Sequence, residues 1–180
     1  MNYYIIYYMT KPKAKIKIRS MTLEDFDVIF AIDQQIRAMG KAITYASITT
    51  EDIFAIDKDM RRLAQPTSYV NFVTRDMAAR VELGLVAEVR GRVRGFILGR
   101  TVPVGETAPE VGVISVLGVH PDYWRKGIAT KLVTALCDKF RAKGIETVRM
   151  RIERRDKDLT GFFEHMGFKA EHLIDYTKSL

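Results

Sequence analysis

The chain has 180 residues, 47% hydrophobic and 28% charged, which suits one globular domain with its own core. No apolar run approaches the roughly 20 residues of a membrane span, and Cys137, the only cysteine, excludes an intrachain disulfide and suits the reducing cytoplasm. The balance of 29 basic and 22 acidic residues leaves a formal charge of +7 and calls for an anionic partner. A polyphosphorylated cofactor and nucleic acid both answer to that, but without a long basic run the charge alone makes a weak case for nucleic acid.

Residues 1–14 carry their basic side chains after the apolar part, the reverse of a secretory signal. They read as an N-terminal extension whose aromatic side chains are a candidate dimer arm, ahead of a single domain over 15–180. Residues 15–19 form a first strand with Ile16 and Ile18 on one face. Thr22 followed by Asp25 has capping-box spacing with Asp in place of Glu, and a helix follows through Arg37 with Phe26, Ile29 and Phe30 along one side. Asp33 shares that side, which fits either a surface or a cleft. Residues 40–47 read as a loop. Thr49 and Asp52 repeat the capping spacing, and Ile53, Ile56, Met60 and Leu63 mark a second helix before the break at Gln65-Pro66. Residues 69–82 fit a strand or a surface helix equally.

The stretch 85–90 sets Leu85, Ala87 and Val89 against Val86, Glu88 and Arg90. A turn at Arg90-Gly91-Arg92 returns the chain through 93–101 as an antiparallel hairpin. A polar connection, 103–109, leads to the apolar run 111–119, a central strand covered on both faces. Ala129, Leu132, Val133, Leu136, Cys137 and Phe140 then share one helix face, ended at Lys143-Gly144. A strand over 147–152, a helix over 160–166 ended by Gly167 and a last strand over 172–176 complete an α/β (α+β) domain, a mixed sheet with helices between its strands.

Between the central strand and its helix lies His120-Pro-Asp-Tyr-Trp-Arg-Lys-Gly-Ile-Ala-Thr130. A turn rich in backbone N–H groups that opens a helix is a place to hold phosphate. Gly127 permits left-handed backbone and close approach by a ligand. Arg125 and Lys126 have the reach for outer phosphate oxygens, Thr130 adds a hydroxyl, and the helix dipole contributes about 0.3–1 kcal/mol. The plainer reading is a surface helix with its cations in solvent. The turn has neither the Walker pattern nor the glycines of a dinucleotide fingerprint.

The segment VGVISVLGVHPDYWRKGIATKLVTAL resembles the cofactor-binding core of GNAT-superfamily N-acetyltransferases, whose signature is Gln/Arg-x-x-Gly-x-Gly/Ala. Gly127 and Ala129 match; Trp124 stands at the first position. A second match is Phe162-Phe163-Glu164-His165-Met166-Gly167-Phe168, where the family has an aromatic residue shortly before Gly-Phe. The resemblance implies a GNAT-like mixed, mostly antiparallel twisted sheet flanked by helices, with acetyl-coenzyme A as cofactor. It implies that the backbone of Arg125, Lys126, Gly127, Ile128, Ala129 and Thr130 holds the pyrophosphate and that Leu117, Gly118 and Val119 lie beside the pantetheine arm. It further implies direct transfer to a primary amine in a ternary complex, the acceptor being a protein N-terminus, a lysine or a small molecule.

Many members use a late-helix Tyr as general acid. Phe163 occupies that position here, and a phenyl ring has no proton to donate; it is expected to pack around the cofactor or the core. Tyr123 and His165 are the nearest candidate donors, with solvent as a third. Glu110, just before the central strand, is the candidate base and Glu88 the second choice, although each also fits a solvent-facing carboxylate. The missing hydroxyl leaves open a coenzyme A-binding module without efficient transfer.

Overall fold

The computed structural model describes residues 15–40, 82–103, 110–152 and 156–171. The N-terminal extension, the second amphipathic helix, most of the 69–82 stretch and the strand expected at 172–176 lie outside the described residues.

Strand β1 (Ile16–Ser20) leads through a 3-10 turn at Leu23–Asp25 into helix α1 (Phe26–Ala38). The Asp25 carboxylate accepts the Thr22 backbone N–H at 2.8 Å and its hydroxyl at 3.1 Å, so the capping spacing read from sequence closes this turn. It also takes two donors from Arg19, at 2.7 and 2.8 Å, which hold it below the ordinary carboxylate range.

Strands β2 (Gly84–Val89), β3 (Arg92–Pro103) and β4 (Glu110–Val119) form an antiparallel meander beside β1. Arg90 and Gly91, both at positive φ, make the tight turn between β2 and β3. Helix α2 (Ile128–Ala142) crosses back to β5 (Val148–Arg149), which lies parallel to β4, and α3 (Lys157–His165) follows. The described sheet has the order β1-β2-β3-β4-β5 and is mostly antiparallel.

Side-chain alternation divides the core in two. Leu85, Ala87, Val89 and Ile97 join Leu132, Val133, Leu136 and Phe140 of α2 and Phe163 of α3 on one face. On the other, Val86, Phe96, Leu98 and Val116 meet Ile29, Ile32 and Ile36 of α1. Close approach of α2 requires glycine in the sheet. A Cβ on Gly95 would meet Ile128 at 2.7 Å, and one on Gly112 would meet the Phe140 ring at 2.9 Å.

Two bulges shape the end of the sheet that leads to α2. The β3–β4 register steps from Leu98↔Val116 to Gly99↔Ile114, leaving Ser115 as the extra residue. In β3, Ala87↔Gly95 is followed by Glu88↔Val93, so Arg94 is extra. Strand β5 pairs with β4 only at Gly112↔Val148 and Val113↔Arg149. The six-residue strand expected at 147–152 is therefore two residues long, although its side chains alternate as the sequence suggested. Beyond Val113, the β4 edge facing away from β3 has no strand partner among the described residues.

Candidate active site

The open edge of β4 runs directly into the turn before α2. Pro121–Tyr123 forms a 3-10 turn, with Tyr123 N–H donating to His120 C=O at 2.8 Å and Trp124 N–H to Pro121 C=O at 3.1 Å. Arg125 and Gly127 are then left-handed, with φ of 58° and 79°. A left-handed residue followed directly by right-handed helix converges successive N–H groups on one point. The first intrahelical bond runs from Lys131 N–H to Gly127 C=O. The amides of Gly127, Ile128, Ala129 and Thr130 donate to no acceptor among the described residues. A Cβ on Gly127 would meet nothing within 4 Å, so the cradle is open and glycine is required there by backbone angle alone.

The sequence-derived cofactor residues divide by the part of each that is available. Ile128 is buried against Gly95 at 1% exposure and contributes its amide only. Ala129 is half-buried and Thr130 exposed, both in the first turn of α2. Arg125 is solvent-exposed and its Nη2 reaches Asp158 of α3 at 3.1 Å. Lys126 donates to Asp122 C=O at 2.6 Å and lies 4.7 Å from the Tyr123 ring centroid. Both cations flank the cradle.

Leu117 and Val119 send their side chains into the core on the α2 face, which leaves their backbone to the edge. His120 N–H donates to Arg94 C=O across the ladder at 2.9 Å, so by strand alternation the N–H and C=O of Val119 point the other way. Gly118 faces the α1 side, where a Cβ would meet Phe96 at 2.5 Å. Its glycine serves ring packing.

Of the catalytic candidates, Tyr123 is brought to this end of the sheet. It packs edge-on to His120 at 5.6 Å and lies beneath the Arg94 guanidinium at 5.0 Å. His165 is exposed in the last turn of α3. Glu110 pairs with Pro103 at the opposite end of β4, about 30 Å of extended strand from Val119, and is not brought to the cradle. Glu88 is engaged by Arg19 at 2.6 Å. Phe163 is 3% exposed and packs against Phe162 and Phe168 at centroid distances of 4.9 and 5.1 Å. The ring is part of the core, one of its two expected settings.

Sequence reasoning missed the role of Trp124. Its Nε1–H donates to Val119 C=O at 2.6 Å, and its ring packs against both core clusters. An aromatic donor at the motif's polar position was the available signal. Asp33 proves to be a buried carboxylate paired through Oδ2 with Arg37 at 2.9 Å, and burial raises its pKa. Burial likewise raises the Cys137 thiol, a poor nucleophile on a helix flank.

The sequence pattern of the acetyltransferase (GNAT) family matches residues 50–168, more than half of the chain. The chain belongs to the GNAT family. A curated acetyltransferase of Yersinia pestis (strain Pestoides F) is 31% identical over 99 residues, covering 55% of this chain and 66% of that protein's length. Among solved structures, a ribosomal-protein-alanine N-acetyltransferase from Brucella melitensis biovar Abortus 2308 superposes with a TM-score of 0.61 at 22% identity, covering 92% of this chain and 99% of its own. A PaiA N-acetyltransferase from Thermoplasma acidophilum, solved with coenzyme A, gives 0.62 at 22% identity, covering 89% and 93% respectively. These structures share the fold. Among the described residues no helix is long and apolar enough to cross a membrane, and no group of His, Cys, Asp and Glu is arranged to hold a metal.

Proposed function

We infer that this GNAT chain transfers an acetyl group from acetyl-coenzyme A to a primary amine by direct attack in a ternary complex. The observation that carries the reading is the row of amides from Gly127 to Thr130, unengaged among the described residues, at the end of a strand edge that has no partner among them. These donors fit a pyrophosphate, with Arg125 and Lys126 at its outer oxygens, and the backbone of Leu117 and Val119 fits the amide-bearing arm behind it. Bound there, acetyl-coenzyme A supplies the activated acetyl group.

The protein contributes placement and fixed donors. Holding two reactants in register accounts for up to roughly 7–11 kcal/mol in ideal intramolecular reactions. The open β4 edge carries main-chain donors both for the arm and for the carbonyl oxygen as negative charge develops on it. Tyr123, His165 and solvent are the candidate proton donors to the departing thiolate; Tyr123 lies at the turn before α2 and His165 is exposed in the last turn of α3. The acceptor class is an amine: a protein N-terminus, a lysine or a small molecule.

The test is profiling with radiolabelled acetyl-coenzyme A against N-terminal peptides, lysine peptides and small amines, paired with calorimetry of coenzyme A. Label on an amine is the expected result. Coenzyme A binding without transfer to any member of the panel reassigns the chain as a binding module, and absence of binding removes the reading.

A further inference from the structure

We propose that the end of the sheet around the β2–β3 turn is a docking surface for the phosphate backbone of a nucleic acid, held by Lys15, Lys17, Arg90, Arg92 and Arg94. The argument begins with placement. Ile16 lies opposite Val89 and Lys17 opposite Glu88, so the start of β1 runs beside the turn at Arg90 and Gly91. Arg92 opens β3 opposite Val89, and Arg94 is the bulged residue that follows. Three neighbouring strands thus bring five cations to one end of the sheet.

These charges are not neutralised. Lys15, Lys17, Arg90 and Arg92 are exposed, and none of the five has an ion pair among the described residues. Elsewhere the cations are matched: Arg37 by Asp33, Arg141 by Asp138 and Lys143 by Glu82. Glu88, the carboxylate opposite Lys17, is taken by Arg19 at 2.6 Å. Arg94 is held without a carboxylate. Its guanidinium lies 5.0 Å from the Tyr123 ring centroid, and its Nε is buried with no hydrogen-bond partner among the described residues. A ring face steadies a cation and leaves its charge in place. Asp122, exposed in the turn after β4, offsets one charge of the group.

The layout selects the partner. Ile16 and Ile18 pack on the α2 side of the sheet, so by strand alternation Lys15 and Lys17 project to the α1 side. Arg94 lies over Tyr123, which packs on the α2 side. Cations divided between the two faces do not converge on one small anion. They fit repeated negative charge, and nucleic-acid phosphates recur at about 3.4 Å of rise per strand. Arginine forks at Arg90, Arg92 and Arg94 match phosphate oxygens. A membrane contact would add apolar side chains beside the cations. The exposed large hydrophobics Leu23 and Val28 instead follow Ser20, at the opposite end of β1 from Lys15. The expected binding is electrostatic and indifferent to sequence.

The test is fluorescence anisotropy of the full-length protein with a labelled single strand of about 12 nucleotides, over a salt series. Wild type is expected to bind at about 50 mM salt, with log K falling against log salt at a slope of about −2 to −3.5, as for three to five phosphate contacts. R90Q/R92Q is expected to weaken binding at least tenfold and to make the slope shallower by about 1.4. K15Q/K17Q, on the neighbouring strand, is expected to weaken it at least threefold. R141Q/K143Q removes the same formal charge at the far end of α2 and is expected to stay within threefold of wild type. Calorimetry of coenzyme A is expected to give the same affinity for R90Q/R92Q as for wild type. Absence of binding by wild type at low salt overturns the proposal. Equal losses in R90Q/R92Q and R141Q/K143Q overturn it in favour of net charge, and loss of coenzyme A affinity in R90Q/R92Q overturns it in favour of the cofactor site. Binding to phosphatidylserine vesicles with none to the strand makes the surface a membrane contact and overturns it likewise. None of these results bears on the transferase reading, which stands or falls on acetyl transfer.

Discussion

Gly127 shows how much of the site depends on a single backbone angle. At φ 79° with open space around it, an added methyl meets no neighbour, so the cost of G127A is conformational, about 1 kcal/mol or slightly more. We expect G127A to lower stability by about that amount and coenzyme A affinity by about tenfold, because a turn that relaxes to negative φ no longer converges its amides. Calorimetry beside thermal unfolding separates the two effects. Glu110 offers the opposite case. It is exposed and belongs to the far end of β4, so E110Q is expected to leave both the transfer rate and its pH profile unchanged; a flattened limb in the profile would restore it as the base. The two buried carboxylates among the described residues, Asp25 and Asp33, have opposite pH signs. Arg19 lowers the Asp25 pKa, so its contribution is present above the unfolded value and is lost as pH falls through the lowered one. Burial raises that of Asp33, whose contribution is present in acid and is lost as pH rises through the raised value. Denaturant titrations between about pH 5 and pH 2 should show wild type losing stability with acid and D25N losing distinctly less.

At the level of elements, α2 and the glycine-lined sheet below it hold the site in place. Phe140 lies against Gly99 and Gly112, and Ile128 against Gly95, so both ends of the helix are fixed relative to β3 and β4. G112A would force the Phe140 ring to move, and an overpacked core costs about 1–3 kcal/mol. The expected result is a lower denaturation midpoint with an unchanged slope, measured in urea. The α2 face was readable because its apolar residues recur at helical spacing over four turns, and the β2–β3 hairpin because alternation flanks Arg90-Gly91. The short β5 was not readable. Val148, Met150 and Ile152 alternate as a strand should, but pairing also needs a partner edge, and it ends at Val113, just before the Ser115 bulge. A bulge depends on cross-strand register, which is not a property of either segment alone. The contact from Trp124 to Val119 was hidden for a related reason: it exists only after Pro121–Tyr123 has folded the chain back on itself.

Two apolar layers clamp a mostly antiparallel sheet, and among the described residues the sheet has no strand partner along the end of β4. Strand, turn and helix order made the fold class and the glycine turn before α2 legible from sequence, because those depend on local pattern. The assignment of chemistry was harder, because catalytic groups are brought together by topology: Glu88 was claimed by Arg19, Phe163 by the core and Glu110 by the distant end of its strand. The central claim is that main-chain donors from Gly127 to Thr130 hold the pyrophosphate. A titration of 15N-labelled protein with coenzyme A, followed by amide NMR, addresses it most directly. The largest shifts are predicted at Gly127, Ile128, Ala129 and Thr130, saturating together with the calorimetric affinity. Saturable binding that leaves these four amides unmoved would contradict the account.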